Sequence, residues 1–239
     1  MTKKPIIGIE ERLKIQAFLN HFLFIQGGVY SLFGDKPITE IFIFIGGEAD
    51  LMPLTEEQLK TALFYDHSLA DNWRAWKRFT EKLHTRRFIF AEHPCNSDPS
   101  QVTYLLLNVK RVKEVLEKHR LAFQSKTGYL FDTDKVIEEF RNPTSLFWEQ
   151  AFSDHYLAGL LYGYGEENIS NFLDHNQDGK RESSDQYDPF ATAANFPIPR
   201  FAVSAQDKTS ARYREQRKTI QAVYQDKDIV DVTIRHLLE

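Results

Sequence analysis

Twelve residues carry the most explicit chemistry in this chain. In the run Asp174-His-Asn176-Gln-Asp178-Gly179-Lys180-Arg-Glu182-Ser-Ser-Asp185, oxygen-bearing side chains fall where a calcium loop needs them. Such loops place oxygen ligands at positions 1, 3, 5, 7, 9 and 12 and a glycine at 6. Asp174, Asn176 and Asp178 would supply side-chain oxygens and Lys180 its carbonyl. Glu182 would bind directly or through water, and Asp185 would close the site. Position 12 is Asp rather than the bidentate Glu, position 8 is Arg181 rather than an aliphatic residue, and the loop has no paired copy. These departures point to a local Ca²⁺ clamp on an insertion rather than to a sensor. A solvated polar turn fits the same string, because Asn and Asp-Gly sequences favour turns for reasons of their own.

His155 and Tyr162 are the candidate catalytic pair. With Gly159 and Gly163 they fall on nearly one helical face. Tight packing around a buried, hydrogen-bonded histidine is the expected arrangement. The alternative is an enzyme, a hydrolase for example, with its site near His155 and the polar 171–199 stretch. Other catalytic signatures are missing from the sequence: no G-x-S-x-G elbow, P-loop, H-E-x-x-H or dinucleotide fingerprint occurs. His93 and Cys95 are separated by the rigid Pro94, which argues against a direct thiol–imidazole pair. Arg212, Arg214, Arg217 and Lys218, interspersed with Glu215, read as a solvated helix face.

Composition narrows the function classes. The 239 residues are 42% hydrophobic and 27% charged, which are globular values. Phenylalanine (19) far outnumbers methionine (2), so a core of rigid aromatic rings is expected. A net charge of −4 provides no general attraction to nucleic acid, and no nucleic-acid partner is expected. A single cysteine, Cys95, excludes an internal disulfide and a cysteine-based zinc site. The uncharged run from Ile15 to Gly34 is long enough to span a bilayer. It contains Gln16, Asn20, His21, Gln26 and the pair Gly27-Gly28, however, which argue against a membrane span. A cytoplasmic protein is the expectation; an exported or lipid-anchored one without its signal would share these features.

The positioning elements follow from periodicity. A helix is predicted over Glu10–Ile25, ended by Gly27-Gly28. Ile41–Ile45 reads as a strand buried on both faces, and Thr55–Gln58 as a capping box opening a helix. Trp73, Trp76 and Leu83 belong to another helix. Phe88–Phe90 and Val102–Leu107 should be antiparallel neighbours. Asn108 should cap a following helix bearing Val109, Val112, Leu116 and Phe123. A short helix should begin near Asp132. The longest helix should run from Asn142-Pro143 through Trp148, Phe152, Tyr156 and Leu160. Pro199–Val203 reads as a last strand, with helices from Ser210 and over Ile229–Leu238. The expected fold is one α+β domain over residues 1–239: a small mixed or antiparallel sheet packed by several helices, with a polar insertion at about 171–199.

Two segments, Gly28-Val-Tyr30-Ser-Leu-Phe33-Gly34-Asp-Lys36-Pro37 and His155-Tyr-Leu-Ala-Gly159-Leu-Leu161-Tyr162-Gly163-Tyr164-Gly165-Glu-Glu-Asn168, resemble an uncharacterised group of bacterial proteins. That group, often predicted to be exported or lipid-anchored, pairs an LFG-x-KP turn with an H-x-x-x-G-x-L-x-G-x-G-x-x-N helix end. The resemblance implies a bacterial source and brings no activity with it. A lipid-attachment cysteine near the start, part of the exported pattern, is missing here. Gly163-Tyr-Gly165 should end a helix, and Asn168 should cap the next. The function expected from sequence is a non-enzymatic structural or interaction role, with a protein partner of unspecified kind.

Overall fold

The computed structural model describes residues 7–46, 67–83, 85–95, 98–174, 188–204 and 207–239. These form an α+β fold with a three-stranded antiparallel sheet, ordered β1 (Ile38–Phe44), β3 (Gln101–Asn108), β2 (Phe88–Pro94). Leu105 of the central strand lies opposite both Glu40 and Ala91. The run Val102–Leu107 shows no apolar alternation because both of its faces are covered. Val102, Tyr104 and Leu106 point into one apolar cluster, and Leu105 and Leu107 into another.

The first cluster is covered by α1 (Ile9–Leu19), α2 (Gly28–Phe33), α3 (His67–Thr80), α10 (Thr209–Tyr224) and α11 (Ile229–Leu238). Aromatic rings fill it as expected: Phe18 stacks on Phe22 at 5.5 Å and meets Tyr104 edge-on at 5.9 Å. The second cluster is covered by α4 (Val109–Lys118), α5 (Arg120–Thr127), α6 (Thr133–Glu138), α7 (Leu146–Ser153), α8 (His155–Leu161) and α9 (Glu166–Asp174). Phe140 and Trp148, at 4.8 Å, are its aromatic centre.

Several caps settle where helices begin. Asn108 accepts from the Arg111 amide at 3.2 Å and Asp132 from that of Lys135 at 3.0 Å, as expected. Asp154, in extended backbone, accepts from the amides of Tyr156 and Leu157 at 3.0 and 2.9 Å. That cap divides the single long helix expected through Trp148 and Leu160 into α7 and α8, so the longest described helix is instead α10, with 16 residues. Asn142-Pro143 forms a turn rather than a first helical turn. Leu83 lies beyond the end of α3, and Phe123 lies on α5 because His119 breaks the stripe that begins on α4.

The long apolar run after Lys14 does not form one rod. After Leu19 the helix widens into a π-helical turn, Asn20–Ile25, then stops at Gly27, whose φ is +74°. No helix among the described residues is long and apolar enough to cross a membrane. β1 also differs from expectation: Phe42 is 52% exposed, so the strand is covered on that face only toward its start. Pro199–Val203 is extended but adds no strand to the sheet. The Thr55–Gln58 capping box lies outside the described residues.

Candidate functional site

The turn between α2 and β1 presents a lysine to the interior. Pro37 is fixed by its carbonyl, which accepts from the Asn108 amide at 2.8 Å, while the Asn108 side chain donates to the Ser31 carbonyl at 2.9 Å. Lys36, thus held, is 6% exposed. Its Nζ donates to Thr39 Oγ1 at 3.0 Å, and Thr39 in turn shares a 2.7 Å hydrogen bond with Ser31 Oγ. Strand alternation then turns Glu40 to the face opposite Thr39.

The second part comes from the end of α8. The Gly163 amide bonds to the Leu160 carbonyl and the Tyr164 amide to that of Gly159, both at 3.1 Å, which is a complete Schellman motif. Gly163 has φ +74° and sits where a Cβ would lie 2.5 Å from Tyr213 Oη and 3.0 Å from Pro37 Cδ. Its carbonyl accepts from Tyr213 Oη at 3.0 Å. Glycine is required here on both counts. The motif throws Tyr162 and Tyr164 out on either side of the glycine, and Tyr162 Oη donates to Glu40 Oε2 at 2.5 Å. The LFG-x-KP turn and the glycine-rich helix end therefore meet at Pro37 and Gly163, and together they supply Lys36, Tyr162 and Tyr164.

The third part is the extended segment 197–202. Tyr30 Oη donates to the Pro197 carbonyl at 3.2 Å, and Phe201 lies 5.6 Å from the Tyr164 ring. Between these three parts is a cleft of about 460 Å³. Lys36, Glu40, Tyr162, Gln26 and Arg200 are among its polar lining, and Phe172, Pro199 and Phe201 among its apolar lining. A hollow of about 330 Å³ adjoins it, sharing Tyr162, Tyr164, Phe172 and Arg200 and reaching His155.

Scans against protein-family models, curated proteins and solved structures returned no match.

The electrostatics of the cleft are those of charge kept from water. Burial pushes the Lys36 amine down to about 8, and attraction to Glu40 opposes part of that shift. Burial raises the Glu40 carboxyl, against the stabilising pull of the Tyr162 hydroxyl and Lys36. Tyr162 is held well above the usual phenol range, first by burial and then by the Glu40 charge. Tyr164 is raised to about 12 for the same two reasons. A buried amine, a raised carboxyl and a neutral phenol on one cleft can bind a polar group and exchange protons with it.

Tyr162 belongs to this site, but its partner is Glu40 and not His155. The buried, hydrogen-bonded histidine expected from sequence is not formed: His155 is exposed on the first turn of α8, with its ring 6.0 Å from Phe172. The Asp154 cap explains this, because it starts a new helix whose first residue faces outward. Gly159 does permit close approach, since a Cβ there would lie 2.6 Å from Ile169 Cγ1. Asn168 is not a cap. It is buried inside α9, donating to the Tyr164 carbonyl and Asp207 and accepting from the Ser204 amide.

Asp174 ends α9, while Asn176, Asp178, Lys180, Glu182 and Asp185 lie outside the described residues. Among the described residues no group of three or more His, Cys, Asp or Glu side chains is placed to hold a metal. His93 Nε2 donates to the Phe140 carbonyl at 2.9 Å. The basic helix face is largely engaged in structure: Arg212 reaches Asp35 at 3.4 Å and the Gly163 carbonyl at 3.3 Å, and Lys218 pairs with Glu215 at 2.7 Å.

Sequence reasoning missed Lys36 and Glu40. Their signals were a lysine fixed before a proline, and the only charge within the apolar run Ile38–Phe44.

Proposed function

We propose that this chain is a binding protein for a small amphipathic organic molecule, whose polar group meets Lys36, Glu40 and Tyr162 and whose hydrocarbon part lies along Phe172, Pro199 and Phe201. The observation that carries this reading is Lys36. A buried ammonium has three N–H donors, yet among the described residues Thr39 is the one hydrogen-bond acceptor it meets. Leaving a buried charge so sparsely satisfied costs stability, and opening it onto a concave, partly apolar cleft is what ligand recognition requires. On this reading the protein is an interaction protein whose partner is a small molecule.

The test is amide chemical-shift mapping with benzoate and benzyl alcohol as probes. Saturable shifts confined to residues 26–40, 162–164 and 197–202, weakened in Phe201→Lys, would support the reading. Shifts scattered over the surface, or none at millimolar probe, would refute it.

A further inference from the structure

Lys36 has surroundings suited to more than holding a charge. Its partner Thr39 is a hydroxyl that is itself bonded to Ser31, and either oxygen of that pair can be the donor. When Lys36 is an ammonium, Thr39 accepts from it and donates onward to Ser31 or to the Gly27 carbonyl at 3.5 Å. When Lys36 is a neutral amine, Thr39 can rotate to donate to it while accepting from Ser31. Both protonation states are therefore hydrogen-bonded without moving a heavy atom. A lysine whose only task was to present a positive charge would gain more from a fixed acceptor such as a carboxylate.

The acid and base that carbonyl condensation needs lie in the same cleft. Glu40, four residues on from Lys36 in the chain, shares the cleft wall with it and accepts from Tyr162 Oη at 2.5 Å. The remaining titratable groups around the turn are Tyr164, Arg200 on the facing segment, Asp35, and Arg212 and Tyr213 behind Gly163. None of them is a cysteine or a second lysine, so Lys36 is the nucleophile among them.

We propose that Lys36 condenses reversibly with the carbonyl group of a small aldehyde or ketone whose hydrocarbon part lies against Phe172, Pro199 and Phe201. The inference rests on the binding role proposed above and names its ligand class. The neutral amine of Lys36 attacks the carbonyl carbon, forming a C–N bond as the carbonyl π pair moves to oxygen. Glu40 takes a proton from nitrogen and returns one to oxygen. As the carbinolamine C–O bond breaks, Glu40 protonates the departing hydroxyl, the nitrogen lone pair forms the C=N bond and Glu40 takes back the remaining N–H proton, so water leaves and the neutral imine remains. Amine plus carbonyl gives imine plus water, with no oxidant or reductant required. With its amine pushed to about 8, roughly a tenth of Lys36 is neutral at pH 7, against well under one in a thousand for an exposed lysine.

The experiment uses the full chain with benzaldehyde below stoichiometry, followed by a brief sodium borohydride quench and peptide mass mapping. The expected result is a single reduced benzyl adduct on Lys36, formed at least about tenfold faster than on any other lysine at pH 7. Its yield should rise with pH to a midpoint near 8. Lys36→Arg, checked for a cooperative melt, should lose the adduct. Glu40→Gln should slow trapping and move the midpoint down, because Glu40 holds the Lys36 value up. Adducts spread evenly over surface lysines overturn the proposal. Cleft shifts with benzyl alcohol but no Lys36 adduct overturn the imine and leave the binding role standing; neither signal overturns both.

Discussion

Replacing Lys36 with methionine should stabilise the fold at neutral pH, which few substitutions of a buried, hydrogen-bonded residue would do. Methionine has a similar reach and no charge to bury. Lowering the amine from its ordinary 10.5 to about 8 corresponds to about 3 kcal/mol by which folding disfavours the charged form. The lost hydrogen bond to Thr39 offsets part of this, since Thr39 keeps Ser31 as a partner at 2.7 Å. The expected net gain at pH 7 is about 1–2 kcal/mol.

The pH dependence gives a sharper test. Between about pH 8 and 10.5 the unfolded chain holds a proton at Lys36 that the folded chain has released, so wild-type stability rises with pH across that window. Below pH 8 the full cost of the buried charge persists. Buried tyrosines act in the opposite sense as pH approaches 10, but they are common to both proteins and cancel in the difference. Urea denaturation at pH 7, 8, 9 and 9.5 should show the advantage of Lys36→Met shrinking as pH rises. If the variant is destabilised at pH 7 and runs parallel to wild type throughout, Lys36 is not held as an ammonium at a cost, and the argument for a ligand built on it fails.

Tyr162→Phe removes the hydroxyl that stabilises the Glu40 carboxylate, so the carboxyl should titrate higher still by NMR and stability should fall by about 1–3 kcal/mol; an unchanged titration would contradict the pairing. Gly163→Ala combines a left-handed backbone with a Cβ 2.5 Å from Tyr213 Oη, whereas Gly128→Ala shares the backbone (φ +70°) with open space around it. The first should cost about 2–4 kcal/mol and the second about 1–2, and equal losses would mean that the Gly163 contact is unimportant. The Asp174–Asp185 spacing predicts a calcium-dependent rise in Tm that Asp174→Ala/Asp178→Ala abolishes. No calorimetric heat and no Tm shift at millimolar Ca²⁺ would remove that site.

Local rules read well from this sequence wherever one residue decides the outcome. The Asn108 and Asp132 caps, the Gly163 helix end and the paired strands are of that kind. Reading failed where two local signals competed. Asp154 can sit within an apolar helical stripe or cap a new helix, and its two amide bonds decided for the cap. His155 was misplaced for the same reason. The site was half legible: Tyr162 stood out by its spacing, while Lys36 looked like an ordinary charge beside a proline. Its burial depends on Asn108, Thr39 and Gly163, and only the tertiary structure brings those together. Phe42 shows the limit of pattern on an edge strand, where one face is covered for only part of its length.

The extended segment 197–202 forms one wall of the cleft, and it holds its place without a sheet ladder. Its anchors are Tyr30 at Pro197 and Arg217 of α10 at Phe196. During synthesis the lysine turn and its strand leave the ribosome early, the tyrosine pair much later, and the anchoring helix near the end. The amine of Lys36 must therefore wait, solvated and ordinary, until segment 197–202 and α10 arrive. A compound added to a cell-free translation reaction should find nothing to bind on nascent chains arrested before residue 224, and should protect released chains from proteolysis. Occupancy of this cleft would then report that the chain has been made and folded through α10.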